Sequence, residues 1–256
     1  MKTSCTIMFR LVPRANLVRS EKTRMFELMT RHFDGISAEQ FARDLAEKNL
    51  VILLESDGQL VGFSTLLAYA TRFQDEPLNV IYSGDTIVTP EAWGTTALPR
   101  AWLAGVERLR ADLPAGRCFW LLLTSGFRTY RFLPVFWREF FPRFDVATPP
   151  HVDQLLAHLA EERFGNQFEP ATGIVRFNTP QRLRHNLQAI PQGRENDPHI
   201  GFFLSRNPGH GAGDELVCLT ELSPANLTAA GRRMQRGVLA IRKESAELYA
   251  TDRAHS

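Results

Sequence analysis

A chain of 256 residues, 44% hydrophobic and 23% charged, is ordinary globular usage, long enough to bury a core without disulfide or metal staples. A formal charge of +2, from 30 Lys and Arg and 28 Asp and Glu spread without a basic run, argues against a nucleic-acid partner. No apolar run approaches the roughly 18–20 residues of a bilayer span, so no membrane span is expected.

Three cysteines, Cys5, Cys118 and Cys218, are an odd number with no CxxC or Cys/His metal spacing. They point to reduced thiols, a cytoplasmic setting and no metal site. The N-terminus lacks the apolar segment and cleavage site of a signal peptide.

The elements follow in chain order. Cys5–Val12 reads as a strand before Pro13. Ser20 is the expected cap of a helix carrying Met25, Leu28, Met29, His32 and Phe33. Ser37 opens a second helix, with Gln40 three residues on in a capping-box pattern. Two β-rich runs, 50–56 and 60–71, flank Asp57-Gly58, a strong hairpin signal. A third run, Asn79–Val88, precedes a helix to about Leu113, capped by Thr95 or Thr96, with Leu98, Trp102, Val106 and Leu109 on one face. Cys118–Thr124 does not alternate and reads as a fully buried strand. From Phe127 a helix is expected, kinked near Pro134 and ended by Pro142. Beyond Val146, "VDQLLAHLAEERF" and "PQRLRHNLQAI" read as helices and "GIVRF" as a short strand. "HIGFFLS" and "DELVCLTEL" read as two final strands facing each other across "RNPGHGAG". A helix from about Ser223 closes the chain.

The order is a set of antiparallel hairpins followed by one strand–helix–strand crossover. It predicts an α/β mixed sheet, mostly antiparallel, with helices on both faces. The expected organisation is a core of residues 1–145 plus 199–222, a helical insertion at 146–198, and a C-terminal helix and tail at 223–256.

The stretch "SGDTIVTPEAWGTTALPR" runs from a strand through a loop into a helix. A helix N-terminus offers unpaired N–H groups and a partial positive charge, which favour a phosphate. Gly94 permits close approach and the hydroxyls of Thr95 and Thr96 can donate; Arg100 or Arg128 could add charge. A plain connector capped by threonine would contain the same residues.

With the element order, Val88-Thr89-Pro90-Glu91 and Gly94-Thr95-Thr96-Ala97 resemble the GNAT superfamily of acyl-CoA-dependent N-acyltransferases, in which a V-x-P strand end enters a pyrophosphate loop and the next helix. Gly62, in the hairpin, fits as well. The likeness covers about residues 5–145 and 199–222. Trp93 stands roughly where the family has an arginine, and only one loop glycine is present. The resemblance implies a splayed parallel strand pair. It also implies acetyl-CoA or another acyl-CoA as co-substrate, and transfer to a small-molecule amine or amino-acid-like acceptor. Acyl carrier protein is the alternative donor, and a non-catalytic binding or regulatory module the alternative of a different class. The insertion would lie beside the acceptor.

On that basis Gly94, Thr95, Thr96 and Ala97 would bind the donor's phosphates, joined by Ser125 and Arg128 beside the next strand end. Backbone N–H groups of Ile87 and Val88 would hold the thioester carbonyl, with Gly84 easing a bulge. Asp85, a carboxylate in an apolar strand, is the first choice as catalytic base. Tyr82 is the second, and Tyr130 is the candidate acid for the leaving thiolate. A bulge-capping Asp85 and a core Tyr130 are equally compatible with the sequence.

Overall fold

The computed structural model describes residues 7–237. In chain order it contains β1 (Met8–Pro13), α1 (Arg19–His32), β2 (Phe33–Asp34), α2 (Ala38–Ala46), β3 (Leu50–Ser56), β4 (Gln59–Phe73), β5 (Glu76–Val88), α3 (Ala97–Arg110) and β6 (Arg117–Thr124). There follow α4 (Phe127–Tyr130), α5 (Phe132–Phe136), α6 (Pro150–Phe164), β7 (Phe168–Glu169), β8 (Ile174–Val175), β9 (Arg182–Leu183), α7 (His185–Gln188), α8 (Pro198–Arg206) and β10 (Glu215–Glu221). Residues 229–237 are helical, and the rest of the expected C-terminal helix lies outside the described residues.

Eight strands form one sheet in the order β1-β3-β4-β5-β6-β10-β8-β7. Only β5 and β6 are parallel, because only they are joined by a helical crossover. Alternation along the strands sends side chains to two cores. On one face Leu50, Ile52, Leu66, Ile81, Trp120 and Cys218 pack against α3, α4, α5 and α8. On the other, Val80, Leu121 and Val217 meet α6, while Val51, Phe63 and Ile87 meet α1 and α2. Among the described residues no helix is long and apolar enough to cross a membrane.

The Asp57-Gly58 signal is realised as a two-residue turn with both φ values positive, 49° and 74°, which suits the twist of the flanking strands. Ser37 caps α2, accepting from Gln40 N–H at 3.1 Å. Elsewhere the expectations need correction. Helix α1 starts before Ser20: the buried Glu21 carboxylate accepts from Val18 N–H at 3.0 Å and is held by Arg10 at 2.7 Å. The helix from Phe127 stops at Phe136 rather than Pro142. "HIGFFLS" is helix α8, not a strand, because Asp197 caps it through His199 N–H and Pro198 fits its first turn. "PQRLRHNLQAI" supplies only the single turn α7, after β9 has paired with β2. Residues 146–198 are not wholly helical either, since β7 and β8 extend the main sheet from β10.

Candidate active site

Strands β5 and β6 pair from Leu78–Arg117 to Ser83–Leu122, and there the ladder ends. Both strands continue, β5 to Val88 and β6 to Thr124, so the pair parts beyond Ser83. The cause lies on the other side of β5. Against β4, Thr86 faces Ser64 and Ser83 faces Leu66, leaving Gly84 and Asp85 together opposite Thr65. This is a bulge in β5, and the extra residue bends the strand away from its neighbour. The last rung is fixed from the α3 face, where Ser83 Oγ accepts the indole N–H groups of Trp102 (3.0 Å) and Trp120 (2.9 Å).

A cavity of about 380 Å³ opens over the parting strands on the α1, α2 and α6 face. Tyr82, Gly84 and Asp85 line it together, because the bulge turns Asp85 to the face that already carries Tyr82. Ser125 and Thr129 line it from beyond β6. Lys48 enters from the end of α2 and Glu215 from the start of β10, with Arg163 and Phe164 at the end of α6.

Three of these side chains are charged and, among the described residues, have no hydrogen bond or ion pair. Burial raises Asp85 to about 6, offset in part by Lys48. Burial, with repulsion from Asp85 second, raises Glu215 to about 8. Burial lowers the Lys48 ammonium, while Asp85 opposes that shift. Lys48 is 5% exposed and lies across Gly84: a Cβ there would meet Lys48 Cε and Thr65 Oγ1, each at 2.6 Å. Its Nζ stands 5.3 Å from the Tyr82 ring centroid. Burial raises the Tyr82 phenol far above its usual value, so at neutral pH it can give a proton but not take one. Its expected role as second-choice base is corrected on that ground.

Lys48 and Glu215 escaped the sequence reading. Phe41, Leu45 and Lys48 follow one another at helical spacing on the buried face of α2, which was the available signal for the lysine. Glu215 precedes a run of buried strand residues, a position that reads equally well as the polar edge of a turn.

Tyr130 does not reach the cavity. It is fully buried in the core on the opposite face, and its hydroxyl donates to Pro142 O at 3.0 Å. Thr89 N–H donates to Val61 O. Hydrogen-bonded pairs alternate along an antiparallel ladder, so 63–87 is the next such pair. Ile87 N–H therefore points into β4, and Val88 N–H toward the side that β6 has left.

The loop before α3 is exposed at Gly94, Thr95 and Thr96. Gly94 has φ 80° and open space where a side chain would stand. Thr95 Oγ1 donates to Ala92 O at 3.0 Å, and Thr96, at the cap position before Ala97, makes no side-chain cap bond. Trp93 Nε1 donates to Val88 O at 2.8 Å. The Arg128 guanidinium lies 4.0 Å above the Trp93 ring and donates to the carbonyls of Leu187 (2.8 Å) and Ala189 (2.9 Å). Arg128 is thus tied to the 187–189 segment. Among the described residues no group of side chains has the arrangement of a metal site.

No protein-family model matches the chain, and no curated protein matches it. Among solved structures it is similar to a protein from Enterococcus faecalis V583 described as a probable N-acyltransferase, at 18% identity over 48% of this chain and 31% of that one, TM-score 0.38. It is similar to the GNAT family N-acetyltransferase YhbS of Escherichia coli in complex with CoA, at 14% identity over 49% and 66%, TM-score 0.36. It is also similar to an acyl-CoA N-acyltransferase from Pseudomonas aeruginosa, at 17% identity over 45% and 79%, TM-score 0.33. The chain spans under a third of the first of these proteins and about two thirds of the second. Its own architecture is GNAT-like: a mostly antiparallel sheet with one parallel pair that parts at Ser83–Leu122, and helices on both faces.

Proposed function

We propose that the protein is an acyl-CoA-dependent N-acyltransferase acting on a small amine. One observation carries this reading: the parallel ladder ends beside a bulge, and the opening leads into a cavity in which Asp85 and Glu215 stand unpaired. A binding module that had lost its chemistry would have no need of the parted strands or of unpaired buried carboxylates, which cost stability.

In this reading the acceptor enters from the α1, α2 and α6 face, beside residues 163–181 of the stretch after Val146, and the donor's thioester lies between the strands. Asp85 takes a proton from the acceptor ammonium. The freed amine nitrogen bonds to the thioester carbonyl carbon, the carbon–sulfur bond breaks, and the departing sulfur takes a proton, for which the Tyr82 phenol is the candidate source. Val88 N–H is the backbone donor aimed at the developing oxyanion. Gly94, Thr95, Thr96 and Ala97 offer the helix N-terminus to the pyrophosphate.

Calorimetry and thermal melts with a panel of acyl-CoAs test the reading: heat and a raised Tm are expected with at least one, and silence with all would sink it. Acyl carrier protein as donor is favoured by a separate observation. Arg128 is committed to Leu187 and Ala189 and is not free for phosphate, which suits a tethered pantetheine. Capture of the chain by an acylated carrier protein, with no heat from any free acyl-CoA, would decide for that donor.

A further inference from the structure

The cavity contains two acids and one base without partners, and that combination describes a ligand. Asp85 stands on β5, on one arm of the opening. Glu215 stands at the start of β10, beyond the other arm, since β10 pairs with β6 there. An ammonium placed in the mouth between the arms meets a carboxylate from each side. Lys48 is different in kind. Its side chain is 5% exposed and crosses Gly84; its ammonium faces the Tyr82 ring but has no anion or hydrogen-bond acceptor. Beside it the fully buried Thr65 hydroxyl is also without a partner. The other charges of the lining are answered or peripheral: Arg163 pairs with Glu47, and Arg43 is exposed at the rim. Asp44, half-buried, also lines the cavity, and its charge acts on Asp85 and Lys48.

A simple amine would satisfy the two carboxylates and bring a second positive charge into a cavity whose buried ammonium is uncompensated. Burying a charge without a counter-charge is costly. A molecule carrying both an ammonium and a carboxylate satisfies all three groups. We propose that the acceptor is a free amino acid, its ammonium between Asp85 and Glu215 and its carboxylate taken by Lys48. This rests on the acyltransferase reading for the meaning of "acceptor", but the site is a binding site whatever the donor.

The test is calorimetry on the donor-free protein with the twenty L-amino acids, their carboxamides and the amines formed by removing the carboxylate. At least one amino acid is expected to bind, with its amide and its amine at least tenfold weaker. Lys48→Gln should bring the three to within about twofold of one another, and Lys48→Arg should keep the order. An amine or amide that binds as tightly as its amino acid overturns the inference, as does a series in which no amino acid binds, or a gap that persists in Lys48→Gln. Should Lys48→Gln fail to fold, the wild-type series decides alone. An amine-preferring protein that also binds acyl-CoA overturns only this inference. Amino-acid binding without any donor binding overturns only the acyltransferase reading.

Discussion

Trp120 donates its indole N–H to Ser83 across 2.9 Å, and this bond sits on the last rung before β5 and β6 separate. Trp102 donates to the same oxygen at 3.0 Å, and the two rings lie 4.3 Å apart against Trp137. Ser83→Ala leaves two buried indole donors unpaired. An unmet buried donor costs roughly 1–3 kcal/mol, so a loss of about 2–4 kcal/mol and a fall in Tm of several degrees are expected. Tryptophan emission should shift in the folded variant. Ser83→Thr, which keeps the oxygen, should retain most of the stability, and equal melts for the serine and alanine proteins would show that these bonds contribute nothing.

Gly84 is required by its neighbour rather than by its backbone. An alanine methyl would sit 2.6 Å from Lys48 Cε and from Thr65 Oγ1, so Gly84→Ala must push the lysine out of the cavity. Overpacking of this kind costs about 1–3 kcal/mol. Combined with Lys48→Ala the clash with the lysine disappears, and a double-mutant cycle should return a coupling of about 1 kcal/mol or more. Additive losses would mean that the lysine moves aside freely.

These two positions show how much of the site was legible from the chain. The Asp57-Gly58 turn, the crossover between β5 and β6 and the apolar faces of α2 and α3 follow from local pattern, and with them the sheet order around the opening. Gly84 could be tied to a bulge, but not to a lysine 36 residues earlier, because that contact exists only once α2 packs beside β5. The facing of Tyr82 and Asp85 was equally out of reach, since one inserted residue reverses parity and its position is set by pairing with Thr65. The β4–β5 hairpin was longer than expected because its turn uses Gln74 and Asp75 at positive φ, where glycine or asparagine would have announced it. "HIGFFLS" carries β-rich residues, but Asp197-Pro198 overrides them with a cap.

Asp85 and Glu215 should make the protein less stable as pH rises. Glu215 goes from an ordinary 4.5 to about 8 in the folded state. Between those values the folded chain holds a proton that the unfolded chain has released, so stability falls as pH climbs through 8. Asp85 acts likewise from about 4 to about 6. Glu215→Gln should therefore melt higher than the parent at pH 9, by an amount of order 2 kcal/mol, and equal to it near pH 4. A constant difference across that range would mean that Glu215 does not titrate abnormally.

Asp85 as base also fixes the acid limb of the rate. The base must be unprotonated, so kcat/KM should rise with pH and level off above about 6. Asp85→Asn should lower kcat by roughly 10²–10⁴ and abolish that limb, with KM for acyl-CoA unchanged. A variant with the parent's turnover would remove Asp85 from the chemistry and leave it a structural carboxylate at the bulge.

The loop before α3 gives the sharpest separation between a phosphate seat and a connector. Gly94 has φ 80° with nothing within reach of an added Cβ. Asparagine tolerates that conformation at modest cost, so Gly94→Asn should fold with a Tm within a few degrees of the parent. Its side chain would then project into open space beside Thr95 and Thr96, where the pyrophosphate is proposed to lie. KM for acyl-CoA should rise about tenfold or more, while KM for the acceptor stays put, because Gly94 is not among the residues lining the acceptor cavity. An acyl-pantetheine donor, which lacks the nucleotide and its pyrophosphate, should be used equally well by Gly94→Asn and the parent. Loss with both donors would place the defect in the strands themselves, and no loss with either would make the loop a connector and move the donor's phosphates elsewhere on the protein.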